Sequence, residues 1–283
     1  MTPSRRPERR SPSEKVRTVD GSTLAYDVAG EGPAILFLHS VIADRRMWDR
    51  EFARFADRHR VIRFDLRGFG GSAPATAPFD YDDDIRRVLE ELGANSVFLV
   101  GSSMGGAFAV DFALNHPEMV RGLLLAAPGL SGGFSPPFDI EEKAAFEFDE
   151  KKSQEISEAW TGKDAAKAFE LLRELWCSAL AGDARALFRR MVEENATEVF
   201  DNRSLKLGRD PPPAAGRLPF LRLPTTVLIG DRDNPSSVPF AKRIVQAVPG
   251  SRLTTVPGAD HLINLSRPEP FESALRGALK SVE

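Results

Sequence analysis

Gly101-Ser102-Ser103-Met104-Gly105-Gly106 is the stretch on which the reading of this chain turns. It follows Ser96-Val97-Phe98-Leu99-Val100, a short apolar run rich in strand formers. It precedes Ala107 to Leu114, an apolar stretch of helical length that stops at Asn115-His116-Pro117. Strand, Gly-x-Ser-x-Gly, helix is the context in which a serine is carried on a sharp turn with its hydroxyl clear of the sheet. Side chains at 101 and 105 would crowd that turn, which accounts for the two glycines. The Met104 amide then faces the space where an oxyanion would form, at the positive end of the following helix.

Strand and helix patterns alternate on both sides of this turn. Val16 to Val28 reads as a hairpin turned at Asp20-Gly21. Ala34 to Leu38 is a continuous apolar run, as in a strand buried on both faces. Met47–Ala56 and Tyr81–Leu92 read as helices, and Val61–Phe64 and Val120–Ala126 as strands. From Ser131 to about Arg217 the strand signal disappears. Asp139-x-x-Glu142 reads as a capping box, and Asp164 and Asp183 as caps of two further helices. Strand signals return at Thr225–Ile229 and Arg252–Val256, with helices over Pro239–Ala247 and Pro268–Val282. The expectation is an α/β fold with a mostly parallel sheet flanked by helices. Its core spans 15–130 and 218–283, a helical cap is inserted over 131–217, and 1–14 form a disordered tail.

Composition narrows the partners. The chain has 283 residues, net charge −3 and interspersed charges, so no nucleic acid or other polyanion is implied. No run approaches the ~18 apolar residues of a membrane span. The arginine pairs Arg5-Arg6 and Arg9-Arg10 precede no apolar segment of the kind a signal peptide needs, so a cytoplasmic protein is expected. The single cysteine, Cys177, reads as a small buried side chain. No metal-ligand spacing and no dinucleotide fingerprint occurs, so neither metal nor cofactor is expected.

A serine nucleophile needs a base, an acid that orients the base, and donors for the oxyanion. Of the four histidines, His39, His59 and His116 have ordinary structural readings at element ends. His261 lies in Pro257-Gly258-Ala259-Asp260-His261, directly after the last strand, at the sheet end where α/β folds place ligands. The loop Gly230-Asp231-Arg232-Asp233-Asn234-Pro235 offers two candidate acids, Asp231 and Asp233.

With Ser103, aspartate and His261 in that order, the chain resembles the α/β-hydrolase superfamily from about Val16 to Val282. Asp65-Leu66-Arg67-Gly68-Phe69-Gly70-Gly71-Ser72 is similar to the family's Asp-x-Arg-Gly-x-Gly-x-Ser loop, whose role is architectural. The segment from His261 to Pro268 resembles its histidine loop. The family's Gly-x-x-Asp pattern selects Asp233. The resemblance also implies an oxyanion hole from the amides of Met104 and Val41, although His39-Ser40-Val41 replaces the usual His-Gly. The string from His39 to Asp49 resembles 3-oxoadipate enol-lactonases and related bacterial carboxylesterases.

The resemblance therefore implies a cofactor-free serine hydrolase with a Ser103-His261-Asp233 triad, acting on a small-molecule ester or lactone. Ile42, Trp160, Trp176 and Leu262 are the candidate pocket residues. Two alternatives share the fold: a C–C bond hydrolase of ring-cleavage products, and a small-molecule receptor with little turnover. Against the first, Ser40-Val41-Ile42 and Leu262 stand where such enzymes typically carry a glycine-rich loop and a tryptophan.

Overall fold

The computed structural model of the protein describes residues 14–18, 20–133, 138–209 and 212–282. Eight strands form one sheet: β1 (Glu14–Arg17), β2 (Thr23–Ala29), β3 (Ala34–Leu38), β4 (Arg60–Phe64), β5 (Val97–Ser102), β6 (Val120–Ala126), β7 (Thr225–Gly230) and β8 (Arg252–Val256). Their order is β1-β2-β4-β3-β5-β6-β7-β8. The pairings of β1 with β2 and of β2 with β4 are antiparallel, and all the others are parallel. Every residue of β3 and β5 is buried, so helices cover the sheet on both faces there. By contrast, β8 is mostly exposed, as an edge strand can be.

The helices among the described residues are α1 (Asp49–Phe55), α2 (Tyr81–Glu91), α3 (Met104–Asn115), α4 (Ile140–Thr161), α5 (Ala165–Trp176), α6 (Gly182–Glu194), α7 (Ala196–Asp201), α8 (Ser237–Ala247), α9 (Ile263–Ser266) and α10 (Pro268–Lys280). A 3-10 turn, Arg45–Trp48, leads into α1. Trp48 ties the first and last helical regions to the sheet: its ring lies 5.1 Å from Phe37 and 5.7 Å from Phe271 of α10. Tyr81 of α2 stacks on Phe108 of α3 at 4.0 Å.

The helices α4 to α7 fall between β6 and β7, where the strand pattern lapses in sequence. The Asp139–Glu142 capping box forms, and Asp164 accepts from the Lys167 amide. Asp183 does not cap α6. Ala181 occupies that position, and Asp183 sits in the first turn, where its charge still meets the helix dipole favourably. The short α7, of six residues, and α9, of four, carry no sequence signal of their own. One residue of the expected tail, Glu14, belongs to the sheet instead. Glu14 opens β1 and accepts from the Tyr26 hydroxyl at 2.8 Å, whereas 1–13 lie outside the described residues.

Buried and half-buried polar bonds seat these inserted helices on the sheet-bearing core. Asn195, between α6 and α7, donates to Asp44 Oδ2 at 2.9 Å and accepts from the Gly70 amide at 2.7 Å. The Ser204 hydroxyl accepts from the Ala75 amide at 3.0 Å. Ala179 donates its amide to Asp260 Oδ2 at 2.9 Å.

Candidate active site

Ser103 lies at the break between β5 and α3 with φ 53 and ψ −117, a conformation that side-chain-bearing residues rarely adopt. Backbone bonds hold it there. Its amide donates to Ala126 O at 3.0 Å, and its carbonyl accepts from the amides of Gly106, Ala107 and Gly129 at 2.9, 3.1 and 2.9 Å. The glycine requirement is steric. A Cβ on Gly101 would lie 2.4 Å from Gly105 O, and one on Gly105 would lie 2.4 Å from Leu38 O.

His261 is buried on the loop after β8. Its Nδ1 is 2.9 Å from Asp233 Oδ1 and 3.2 Å from Oδ2. Asp233 also accepts from the Asn234 amide at 2.7 Å. The carboxylate accepts, so Nδ1 carries the hydrogen and Nε2 keeps the lone pair that can take a proton. Asp231 instead accepts from the Gly258 amide at 2.6 Å and serves the turn. Asp260 is fully buried and binds the Ala179 amide rather than the imidazole. Its carboxyl is pushed above the usual range by burial. Among the described residues, Ser103 Oγ forms no hydrogen bond to His261, yet both side chains line the same cavity.

That cavity, about 350 Å³, also presents Ser40, Val41 and Ile42 from the loop after β3, and Ser153, Ile156, Ser157, Leu172, Trp176, Val199, Phe200 and Asn202 from the insertion. Among the described residues, no arginine, lysine, aspartate or glutamate lines it. Trp176 makes two contacts with His261: its carbonyl accepts from the His261 amide at 3.0 Å, and its ring lies 4.5 Å from the imidazole.

Two candidate pocket residues lie elsewhere. Trp160 stacks on Phe200 at 4.6 Å and donates to Asp201 Oδ1 at 2.8 Å, so it braces the insertion. Leu262, within the histidine loop, is fully buried and does not line the cavity. Ile42 and Trp176 do line the cavity, whereas Ser153, Ser157, Val199, Phe200 and Asn202 had no signal as single residues. On α4, Ser153, Ile156 and Ser157 recur at helical spacing, which is the signal that could have found them.

The remaining motif residues shape the walls. His39 is fully buried, with Nε2 accepting from the Leu66 amide and Nδ1 donating to Ser40 O, both at 2.9 Å. Burial holds its pKa down, consistent with this neutral form. Ser40 needs no positive φ, and its carbonyl and hydroxyl accept from the amides of Ala43 and Ile42 at 3.1 and 3.4 Å. Among the described residues the Val41 amide has no such acceptor. Asp65 accepts from the amides of Arg45 and Gly71, and Arg67 grips Asp84 in a fork of 2.6 and 2.8 Å. Both are structural.

Comparison with known proteins places this arrangement. The model of the alpha/beta hydrolase family matches residues 35–274. An uncharacterized protein of Mycobacterium tuberculosis is 36% identical over 121 residues, 42% of this chain. The chain spans only 36% of that relative's length. 3-Oxoadipate enol-lactonase 2 of Acinetobacter baylyi is 22% identical over 93% of this chain and 95% of its own. The solved esterase of Thermogutta terrifontis superposes with a TM-score of 0.76 at 26% identity, covering 96% of this chain and 99% of its own. With the family match spanning most of the sheet and both loops of the site, this chain belongs to the alpha/beta hydrolase family.

Proposed function

We propose that the protein is a serine hydrolase of uncharged carboxylic esters or lactones. The observation that carries this reading is Ser103, held on a strained turn, sharing one cavity with a His261 whose Nδ1 is bonded to Asp233. Ser103 Oγ attacks the carbonyl carbon while His261 Nε2 accepts its proton. Asp233 holds the imidazole in the required tautomer and stabilises the imidazolium. The amides of Met104, at the first position of α3, and Val41 receive the oxyanion. His261 then gives its proton to the leaving alkoxide, and water releases the acid by the same route in reverse.

The cavity lining supports the substrate class. A carboxylate-bearing substrate such as 3-oxoadipate enol-lactone calls for a cationic partner, and among the described residues no lysine or arginine lines this site. Ile42, Ile156, Leu172, Trp176, Val199 and Phe200 favour an apolar acyl or aryl group. Ser153, Ser157 and Asn202 supply neutral hydrogen-bonding groups among them. The inserted helices thus act as a lid that sets substrate range.

A panel of neutral aryl esters, alkyl esters and lactones, each paired with an analogue bearing a carboxylate on the acyl chain, tests the reading. Neutral members should be turned over with kcat/KM at least about tenfold above their charged partners. Equal or reversed preference contradicts the substrate class, and no turnover of any member contradicts the activity.

A further inference from the structure

One face of α4 runs from the acid-bearing loop to the cavity. Glu142 accepts from Arg243 Nε of α8 at 2.9 Å, and Phe146 meets Phe240 edge-on at 5.9 Å. Asp149 accepts from Asn234 Nδ2, and Ser153, Ile156 and Ser157 then line the cavity. These positions fall three or four residues apart and so share one side of the helix.

Asn234 is only 1% exposed and is fixed on every side. Its side-chain oxygen accepts from the Ser236 amide at 3.1 Å, and its side-chain nitrogen donates to Asp149. Its backbone amide donates to Asp233 Oδ1 at 2.7 Å, the same oxygen that His261 Nδ1 approaches at 2.9 Å. Burial pushes the Asp149 carboxyl up, Asn234 and His261 draw it down, and Asp233 adds to the rise, so the group feels both members of the pair.

We propose that Asp149 is a positioning residue: delivered by the insertion, it anchors Asn234 so that the Asn234 amide fixes the Asp233 carboxylate against His261 Nδ1. This rests on the triad reading above. Seating of α4 is then part of assembling the site, because without the Asp149 acceptor a buried Asn234 donor is unpaired and the residue re-orients.

The test compares Asp149→Leu, Asp149→Asn, Asn234→Ala and Glu142→Ala in the full chain. Two readouts are used: kcat and KM for a neutral p-nitrophenyl ester, and the low-field proton resonance of the His261 Nδ1–H, assigned by its loss in His261→Gln. The second needs no substrate. Asp149→Leu should lower kcat about 10- to 100-fold with KM within about twofold, and should move or broaden the resonance. Asp149→Asn should restore most of both, because its amide oxygen still accepts. Asn234→Ala should reproduce the leucine variant with the insertion's own residues untouched. Glu142→Ala, which loosens the same helix elsewhere, should change neither. The proposal is overturned if Asp149→Leu and Asn234→Ala keep the parent's kcat and resonance, if Asp149→Asn falls as far as Asp149→Leu, or if Glu142→Ala gives the same loss. Ester turnover persisting in Ser103→Ala would instead defeat the triad reading, while the resonance would still report on Asp149.

Discussion

At the scale of single residues, the site is built from groups held where they would not rest alone. The Ser103 conformation costs roughly 1–3 kcal/mol, and four backbone bonds oppose its relaxation. On the proposed triad, whose members would act as a unit, Ser103→Ala should lower kcat by about 10⁴- to 10⁶-fold in steady-state assays. Asp233→Asn should cost about 10⁴-fold by favouring the wrong imidazole tautomer. Asp231→Asn should remain close to the parent, since Asp231 contacts the Gly258 turn and not His261. A reversal of those two effects would show that the acid is misassigned.

Glu51 gives a pH signature independent of catalysis. It is fully buried on α1, where burial pushes its carboxyl up to about 8 from an ordinary 4.5. One oxygen accepts from Asn264 at 3.3 Å and the other has no partner among the described residues. Between those two pH values the folded protein holds a proton that the unfolded chain has lost. Stability therefore falls as pH rises from about 4.5 to about 8, and levels off above. Glu51→Gln removes this dependence. Its Tm advantage over the parent should widen by roughly 5–10 °C between pH 5 and pH 9, measured by thermal unfolding. A constant difference across that range would mean that Glu51 ionises normally in the folded protein.

At the scale of elements, the two large rings of the insertion part company. Trp176 ends α5 against His261 and lines the cavity, whereas Trp160 ends α4 against Phe200 and Asp201. Trp176→Ala should change the kcat/KM ratio between a bulky and a small neutral ester by about 1–3 kcal/mol. Trp160→Ala should leave that ratio alone and lower stability by roughly 2 kcal/mol, seen as a lower Tm. The opposite pattern would exchange their roles. Sequence alone treated both as pocket candidates because a helical stripe of large apolar residues looks the same whether it faces a cavity or another helix. Their partners, Phe200 and His261, lie far along the chain, and only tertiary packing brings them near.

At the scale of the whole molecule, legibility followed locality. The elbow, the parallel strands and the His261 loop were readable because each depends on a short run: an apolar strand, a tight turn, a glycine forced by a nearby carbonyl. The choice of Asp233 over Asp231 needed family pattern, and the structure's distances bear on it through His261 Nδ1. The insertion was legible as helices but not as a surface. Asp183 looked like a cap because aspartate suits both the cap and the first turn, and α7 is too short to show periodicity. Asp149 and Asn234 gave no signal because their role lies in a contact across 85 residues of chain.

In the proposed reaction Ser103 is acylated and then released in each turnover. Rapid mixing with a neutral p-nitrophenyl ester, quenched with acid and followed by peptide mass spectrometry, tests it most directly. The expected result is a burst of p-nitrophenol near one equivalent, then steady turnover, with the acyl mass on the peptide containing Ser103 and none in Ser103→Ala. An acyl mass on another residue, or steady turnover retained by Ser103→Ala, would contradict it. A burst with a stable Ser103 adduct and no turnover would contradict the hydrolase reading in favour of a receptor.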